Sequence, residues 1–218
     1  MRIVIAGGHG QIALRLERLL SSAGHQVAGV IRNPAHEADL REAGAEPVLL
    51  DLESASPEEV AGVLEGADAA VFAAGAGPGS GTARKDTVDR GAAVLFADAA
   101  ERAGVRRYIA VSSMGADAGH PGDEVFDVYL RAKGAADDHV RGKSGLRWTV
   151  LRPGQLTDEL GTGLVRLAAS TGRGPVSRDD VAAVLAELAE SDATAGLTLE
   201  LVSGGVPVAV AVRDVAGN

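Results

Sequence analysis

The residues of this chain best suited to chemistry are a tyrosine and a lysine four positions apart. Tyr129 and Lys133 stand in the segment VYLRAKGAADDHV, and this spacing places both side chains on one face of a predicted helix. An ammonium group beside a phenol stabilises the phenolate, which prepares the phenol for proton transfer. The pair therefore predicts general acid/base chemistry, with an ordinary surface pair on a helix as the competing interpretation.

A glycine-rich stretch near the N-terminus predicts a phosphate-binding turn. The run GGHGQIA lies between an apolar strand pattern and a helical pattern, which is the context in which such glycines bind a dinucleotide. Two spacings fit: Gly8, Gly10 and Ala13, or Gly7, Gly10 and Ala13. The phosphates would lie at a helix N-terminus, where free N–H groups favour negative charge. The alternative is a strand-to-helix turn that binds nothing.

The ends of the next predicted strands carry residues that suit the rest of a dinucleotide. Arg32, in GVIRNP, stands where enzymes that use the unphosphorylated cofactor usually have an acidic residue. A guanidinium group at that position suits a 2′-phosphate, and a solvent-exposed arginine without a ligand is the competing interpretation. Asp51 ends the third strand and could contact the adenine. The small residues of FAAGAG end the fourth strand, where the chain would pass beside the cofactor.

The elements that must position these residues alternate between strand and helix. The predicted strands are RIVIA, QVAGVI, EPVLLD, DAAVFAA, RRYIAVSS and RWTVLRP. Helical patterns separate them, and Ser56, Pro57 and Glu59 form a capping signal for one helix. The segment GAGPGSGTARKD predicts a loop before a long alanine-rich helix that ends near Gly104. This order predicts an α/β fold with a doubly wound parallel sheet of the Rossmann type.

The alternation weakens after about Gly154. The remaining chain contains one clear helix, SRDDVAAVLAELAE, in which Ser177 and Asp180 have capping-box spacing, and one clear strand, LTLELVSG. The tail PVAVAVRDVAGN fits a strand or a helix. We therefore expect residues 1–218 to form a single domain in which residues 155–218 make a small cap on the substrate side.

Composition excludes several classes of function. The formal net charge is −9 and no basic block interrupts it, which argues against a nucleic-acid partner. The five histidines show no metal-ligand spacing, so no metal is expected. The chain has no cysteine and no long apolar run, which indicates a cytoplasmic protein without a membrane segment. A monomer and a homodimer are both compatible with the sequence.

Taken in order, the motifs resemble those of one family. The segments GGHGQIA, VIRNP, LLDL, AAGAG, VSSMGA, YLRAK, SGLRWTVLRPGQLT and VSRDDVAAVL are similar to the atypical short-chain dehydrogenase/reductases, in the small branch that includes NmrA-like and epimerase/dehydratase-like proteins. The resemblance implies Tyr129 as general acid/base and Lys133 as the residue that binds the nicotinamide ribose. The implied cofactor contacts are Gly7, Gly8, Gly10, Gln11, Ile12, Arg32, Asp51, Leu52, Ala73, Ala74, Gly75, Ser112, Lys133 and Pro153.

The resemblance also bears on substrate and reaction. The family serine that polarises a carbonyl lies near Ser112 and Ser113; the next residue here is Met114, and Ser113 is the favoured candidate. Sugar-nucleotide epimerases carry a larger C-terminal domain, so a small carbonyl or quinone-like substrate fits better. The expected function is an NADP(H)-dependent reductase, with NAD as the alternative cofactor. The runner-up is a cofactor-binding regulator of the NmrA-like kind without catalysis.

Overall fold

A computed structural model describes residues 1–77 and 79–217. Pro78 of the predicted loop and Asn218 of the predicted tail lie outside the described residues. The strands are β1 (Arg2–Ala6), β2 (Gln26–Ile31), β3 (Glu46–Leu49), β4 (Ala69–Phe72), β5 (Arg107–Val111), β6 (Arg147–Pro153), β7 (Gln155–Thr157), β8 (Leu164–Ala168), β9 (Pro175–Ser177), β10 (Leu197–Ser203) and β11 (Val206–Pro207). The α-helices are α1 (Gln11–Ser22), α2 (Glu37–Glu42), α3 (Pro57–Leu64), α4 (Thr82–Arg84), α5 (Ala93–Arg102), α6 (Val125–Arg141), α7 (Arg178–Glu190) and α8 (Val208–Ala216).

The described residues form a nine-stranded sheet in the order β11-β8-β10-β6-β5-β4-β1-β2-β3. The strands from β3 to β10 in this order are parallel, whereas β8 pairs with β10 and β11 in the antiparallel sense. After β3, at one edge of the sheet, the chain returns past β1 and forms β4 on its other side. The strand order therefore reverses next to β1, as in the doubly wound order of a Rossmann-like fold. The predicted fold class is therefore confirmed.

Alternating residues of the central strands bury apolar side chains on both faces of the sheet. Ile3 and Ile5 of β1 pack in one core with side chains of α1 and α7, whereas Val4 and Ala6 pack in a second core with side chains of α3 and α5. Such two-sided burial is why these strands appear in the sequence as nearly continuous apolar runs. The two helical layers hold the strand ends in fixed positions.

The capping signals mark two helix starts. Ser56 and Glu59 form the reciprocal capping box expected at α3. At α7, Ser177 Oγ accepts a hydrogen bond from Asp180 N, at 3.0 Å. The carboxylate of Asp180 accepts instead from the backbone N–H groups of Thr162 and Gly163. The predicted helix start at Ser177 is therefore confirmed, but only half of a capping box forms, because the chain before α7 supplies other donors to Asp180.

The segment that leads to the alanine-rich helix differs from its prediction. Residues 82–84 form α4, Lys85–Ala92 form a π-helix, and α5 follows without a break. The predicted loop is therefore shorter, since GTARKD contributes residues to the helical segment. A π-helix changes which side chains face a neighbouring element and is frequent at functional sites.

The C-terminal segment contributes to several parts of the fold. Three of its strands, β8, β10 and β11, extend the central sheet, and α7 contacts α1. The remaining two, β7 and β9, form a separate parallel pair. The tail, which the sequence left open, forms α8 after Pro207. No helix among the described residues is long and apolar enough to cross a membrane.

Candidate functional site

A cleft follows the carboxyl ends of the parallel strands. It consists of two cavities, of about 260 Å³ and 510 Å³, which share a wall formed by Ala73, Ala74 and Gly75. These residues follow β4, next to β1, so the cleft lies at the point where the strand order reverses. Open α/β sheets bind their ligands at this position.

The glycine-rich loop forms the wall of the first cavity. Gly7 has a positive φ of 79° and lies against Ala74, where a Cβ atom would be 2.6 Å from Ala74 Cα. Gly10 donates its backbone N–H to Gly7 O, at 2.8 Å, and lines the same cavity. Gly8 is not among the described residues that line either cavity. A Cβ atom there would meet Gly29 Cα at 2.9 Å, so Gly8 permits close packing against β2.

The start of α1 is suited to bind phosphate. Gly10 is its N-cap, and the first turn has neither a side-chain cap nor an acidic residue. The N–H groups of this turn are therefore free to bind an anion, in contrast with α3, whose start is capped by Ser56. Ile12 lines the second cavity, whereas Gln11 is exposed and not among the lining residues. A bare loop and an uncapped helix fit the pyrophosphate of a dinucleotide.

Arg32 lies at the outer end of the first cavity and is already paired. Its guanidinium contacts Glu53 Oε2 at 2.8 Å, and Arg84 contacts the same oxygen at 2.8 Å. The Thr87 hydroxyl donates to Glu53 Oε1. The hydrogen bond from Thr87, aided by the two arginines, holds the pKa of Glu53 below its ordinary value. Among the further predicted contacts, Asp51 and Leu52 line this cavity.

Two histidines complete the outer wall. The rings of His9 and His36 are stacked with centroids 3.6 Å apart, and both line the first cavity. Asp39 lies 2.7 Å from His9 Nε2. Two arginines, two histidines and Glu53 thus surround the end of the cleft where the prediction places the adenosine.

A buried carboxyl lies beneath the glycine loop. Glu17 of α1 is fully buried, and neither of its oxygens has a hydrogen-bond partner among the described residues. Glu17 Oε1 fills the space that a Cβ atom at Gly29 would need, 2.5 Å away. Burial raises the pKa of Glu17 to about 8, against an opposing effect of Arg18. Burial at this position therefore favours the protonated, uncharged form of the side chain.

The second cavity brings the predicted catalytic residues together. Tyr129, Lys133, Ser112, Ser113 and Pro153 all line it, although they come from α6, from β6 and from the turn after β5. Its remaining wall is largely apolar and includes Ile12, Val111, Val125, Phe126 and Leu156. The Phe126 ring is stacked near the Tyr129 ring, with centroids 5.8 Å apart.

The cation over the tyrosine ring is Lys85. Its Nζ lies 5.3 Å from the centroid of the Tyr129 ring. Lys133 is almost fully buried and donates to Val111 O, at 3.1 Å, and to Ala74 O, at 3.5 Å. No hydrogen bond joins Lys133 to Tyr129 within the described residues. Lys133 therefore faces the backbone at the carboxyl ends of β4 and β5.

Asp89 links the two lysines. Its carboxylate is fully buried, with Oδ1 lying 3.6 Å from Lys133 Nζ and Oδ2 lying 4.0 Å from Lys85 Nζ. The backbone N–H of Ala76 donates to Oδ2 at 3.3 Å. Lys85 also donates to Gly77 O. The carboxylate thus joins the π-helix to α6 and to the chain after β4.

The two serines have different surroundings. Ser112 is buried, and its hydroxyl donates to Asp137 Oδ2 at 2.8 Å. The same oxygen accepts from Arg152, and burial raises the pKa of Asp137 despite that guanidinium. Ser113 is only partly buried and makes a long bond of 3.3 Å to Met114 O. Ser113 is thus the hydroxyl that is easier to redirect towards a ligand.

Sequence reasoning missed four charged residues of the cleft. These are Glu53, Arg84, Lys85 and Asp89. A weak signal existed for Lys85 and Asp89, because they stand four positions apart, with Lys85 at the end of the predicted loop and Asp89 just after it. Arg84 and Glu53 are 31 positions apart, and nothing local connects them. No cluster of three or more potential metal ligands occurs in the part of the chain that the structure describes.

Comparison with known proteins places the chain in a family. The model of the NAD(P)H-binding family matches residues 7–192, so the chain belongs to that family. A protein of Bacillus subtilis named as the uncharacterized sugar epimerase YhfK is 39% identical over 215 residues, which cover 98% of this chain and 99% of the relative. The resemblance to atypical short-chain reductases is consistent with this family.

Solved structures agree with the fold. A protein from Bacillus halodurans, described as an NAD-dependent epimerase/dehydratase, is 35% identical, with a TM-score of 0.90 and coverage of 98% of this chain and 99% of that one. The oxidoreductase YlbE from Lactococcus lactis is 27% identical, with a TM-score of 0.86 and coverage of 100% and 98%. The chain is thus an NAD(P)-binding protein with an oxidoreductase-like fold.

Proposed function

We propose that this protein is an NADP(H)-dependent oxidoreductase that reduces a small carbonyl or quinone-like compound. The observation that carries the proposal is the junction of the two cavities at Ala73, Ala74 and Gly75. A dinucleotide held by the glycine loop in the first cavity would extend past this junction towards Tyr129 and Ser113. The apolar wall of the second cavity favours an apolar carbonyl over a sugar.

The proposed chemistry divides between cofactor and protein. Bound NADPH supplies a hydride from C4 of its nicotinamide ring. Ser113 donates a hydrogen bond to the substrate carbonyl oxygen, and Tyr129 delivers a proton to that oxygen as the alcohol forms. Lys133 holds the nicotinamide ribose, close to the carbonyl groups of Ala74 and Val111 that it contacts.

The preference for NADP(H) over NAD(H) rests on two guanidinium groups. Arg32 and Arg84 converge on one carboxylate oxygen of Glu53, as they would on a phosphate oxygen. A 2′-phosphate carries more charge than a carboxylate and offers further acceptors for both arginines. We therefore expect the 2′-phosphate to bind between these arginines and to weaken their contacts with Glu53.

The function is tested by a screen of aldehydes, ketones and quinones for oxidation of NADPH, followed by Tyr129→Phe. The variant keeps the ring but lacks the acid, so turnover falls by about 10²- to 10⁴-fold, while NADPH affinity stays nearly unchanged. Tyr108→Phe is the matched control, since Tyr108 is fully buried and its hydroxyl has no hydrogen-bond partner among the described residues. Full turnover by Tyr129→Phe would remove Tyr129 from the mechanism.

The screen also separates the enzyme from a cofactor-binding regulator. A regulator needs no proton donor in its second cavity, whereas Tyr129 lines it here. Tight NADPH binding without turnover of any compound in a broad screen would favour the regulator.

A further inference from the structure

The charged groups of the second cavity do not balance. Its described lining contains the ammonium groups of Lys85 and Lys133 and only one carboxylate, that of Asp89. The cavity therefore has a local charge of +1 in a chain whose net charge is −9. Burying an uncompensated charge is costly unless a partner of opposite sign binds.

Lys85 is the lysine with the weaker contacts. Asp89 lies closer to Lys133, at 3.6 Å, than to Lys85, at 4.0 Å. Among the described residues, Lys133 donates to two backbone carbonyls, whereas Lys85 donates to one, that of Gly77. The Lys85 side chain is nevertheless only 10% exposed. An ammonium so deeply buried, with a carboxylate at the outer limit of an ion pair, is suited to accept a second anion.

The position of Lys85 relates this anion to the substrate. Its Nζ lies over the Tyr129 ring, 5.3 Å from the centroid, so a group bound to it would lie beside the proposed proton donor. Apolar side chains line the same cavity, and three of them are open to solvent: Val125, Phe126 and Leu156, at 46%, 63% and 36% exposure. Charge and apolar surface thus lie within one cavity.

We infer that the second cavity binds an apolar, ring-containing carbonyl compound that carries a carboxylate, and that Lys85 binds this carboxylate. The inference rests on the proposed reductase function and narrows its substrate class. The ring would pack against Phe126, and the carboxylate would form a charge-assisted hydrogen bond with Lys85 Nζ. Asp89 holds Lys133 in place, so the charge of Lys85 remains available to the ligand.

The test compares each aryl carboxylate with its uncharged methyl ester. Two pairs serve as probes: 4-benzoylbenzoate and 2-naphthoate, each with its ester, titrated by calorimetry into wild-type protein saturated with NADP⁺. We expect both carboxylates to bind about 10-fold or more tightly than their esters, because a hydrogen bond to a charged group contributes that much. This comparison needs no variant and therefore no assumption about folding.

Variants then test whether Lys85 causes the preference for a carboxylate over its ester. We expect Lys85→Met to lose this preference and Lys85→Arg to retain it. Lys143→Met is the matched control, because Lys143 pairs with Asp98 and Glu101 and is not among the residues that line the cavity. An unchanged preference in Lys85→Met, an equal affinity of acid and ester in wild type, or no binding of either carboxylate would overturn the inference.

Binding and turnover distinguish the two proposals. If the carboxylates bind through Lys85 but no ketone is reduced by NADPH, the result supports the carboxylate site and contradicts the reductase function. If neutral ketones are reduced and Lys85→Met slows them as much as their carboxylated analogues, Lys85 stabilises the reacting oxygen instead. That result overturns the carboxylate site and leaves the reductase function intact.

Discussion

A buried carboxyl side chain at each end of the cleft, Glu17 at one and Asp89 at the other, allows a comparison, because the two have opposite surroundings. Glu17, beneath the glycine loop, lies among Gly8, Gly29 and Leu40 without a hydrogen-bond partner in the described residues. Asp89, at the substrate end, lies near two lysines and accepts a backbone hydrogen bond from Ala76. Both side chains have a relative exposure of 0%.

Two carboxyl groups that are equally buried therefore differ in whether charged partners surround them. With only the opposing effect of Arg18, desolvation raises the pKa of Glu17 to about 8 and favours a neutral side chain within the packing of α1 on β2. With two ammonium groups nearby, Asp89 is part of a charged cluster in the cavity wall. At the glycine-loop end, a neutral side chain thus packs beneath the loop. At the substrate end, oppositely charged side chains form ion pairs.

The largest expected effect concerns the pH dependence of stability at the glycine-loop end. The folded chain retains the Glu17 proton up to about pH 8, whereas the unfolded chain releases it near the ordinary value of 4.5. Its contribution is thus fully present below pH 4.5 and is lost as the pH rises to about 8. The free energy of unfolding falls by up to about 5 kcal/mol across this window.

Replacing the carboxyl group tests this pH dependence. In Glu17→Gln, the part of the fall in unfolding free energy between pH 4.5 and 8 that comes from Glu17 disappears. Urea unfolding at pH 5, 7 and 9 measures this. The exposed Glu42→Gln serves as control and retains the wild-type slope. The same slope in Glu17→Gln as in wild type would show that water or a partner stabilises the Glu17 carboxylate.

At the substrate end, Asp89→Asn removes the carboxylate that forms ion pairs with Lys85 and Lys133. The loss of one partner from a buried ion pair costs about 3–4 kcal/mol of unfolding free energy. Asp86→Asn is the control, since Asp86 lies on the same π-helix but is exposed and paired with Arg90, so its loss costs below about 1 kcal/mol. Equal effects of the two substitutions in chemical denaturation would contradict a buried charge cluster at Asp89.

Cofactor binding should depend on the bare backbone of the first cavity. In Gly10→Val the added side chain begins 3.1 Å from Gly7 O and occupies the space that the pyrophosphate needs. NADPH affinity falls by about 100-fold or more, because the phosphate contacts with the loop are lost. Calorimetric titration measures the NADPH affinity. Gly62→Val is the control, since nothing lies within 4 Å of a Cβ atom at Gly62. Wild-type affinity in Gly10→Val would show that the loop is a turn that does not bind phosphate.

The smallest effect concerns the exposed charges at the outer end. Arg32→Ala loses charge-assisted hydrogen bonds to the 2′-phosphate, so NADPH affinity falls by about 10-fold while NADH affinity barely changes. Glu53→Gln frees both arginines and raises NADPH affinity. Arg41→Ala, at an exposed arginine paired with Glu37, is the control. A parallel loss of both cofactors in Arg32→Ala would refute the assignment to the 2′-phosphate.

Local signals predicted the elements of the first cavity well. The turn of the glycine loop follows from residues only a few positions apart, and the cap of α3 follows from Ser56 and Glu59. The sequence also predicted that Tyr129 and Lys133 lie on one helix. It did not predict that the tyrosine ring faces Lys85, because the π-helix that positions Lys85 comes from a segment expected to begin as a loop.

Sequence patterns were sufficient to predict the parallel strands of the central sheet, the turn at the glycine loop and the position of Tyr129 on a helix. These depend on hydrophobic periodicity and on turn and capping residues, which act over a few positions. The tertiary structure alone decided which charges meet: Glu53 with Arg32 and Arg84, and Asp89 with Lys133. Whether a carboxyl group is neutral or paired depends on neighbours from distant segments, which only packing brings within a few ångströms.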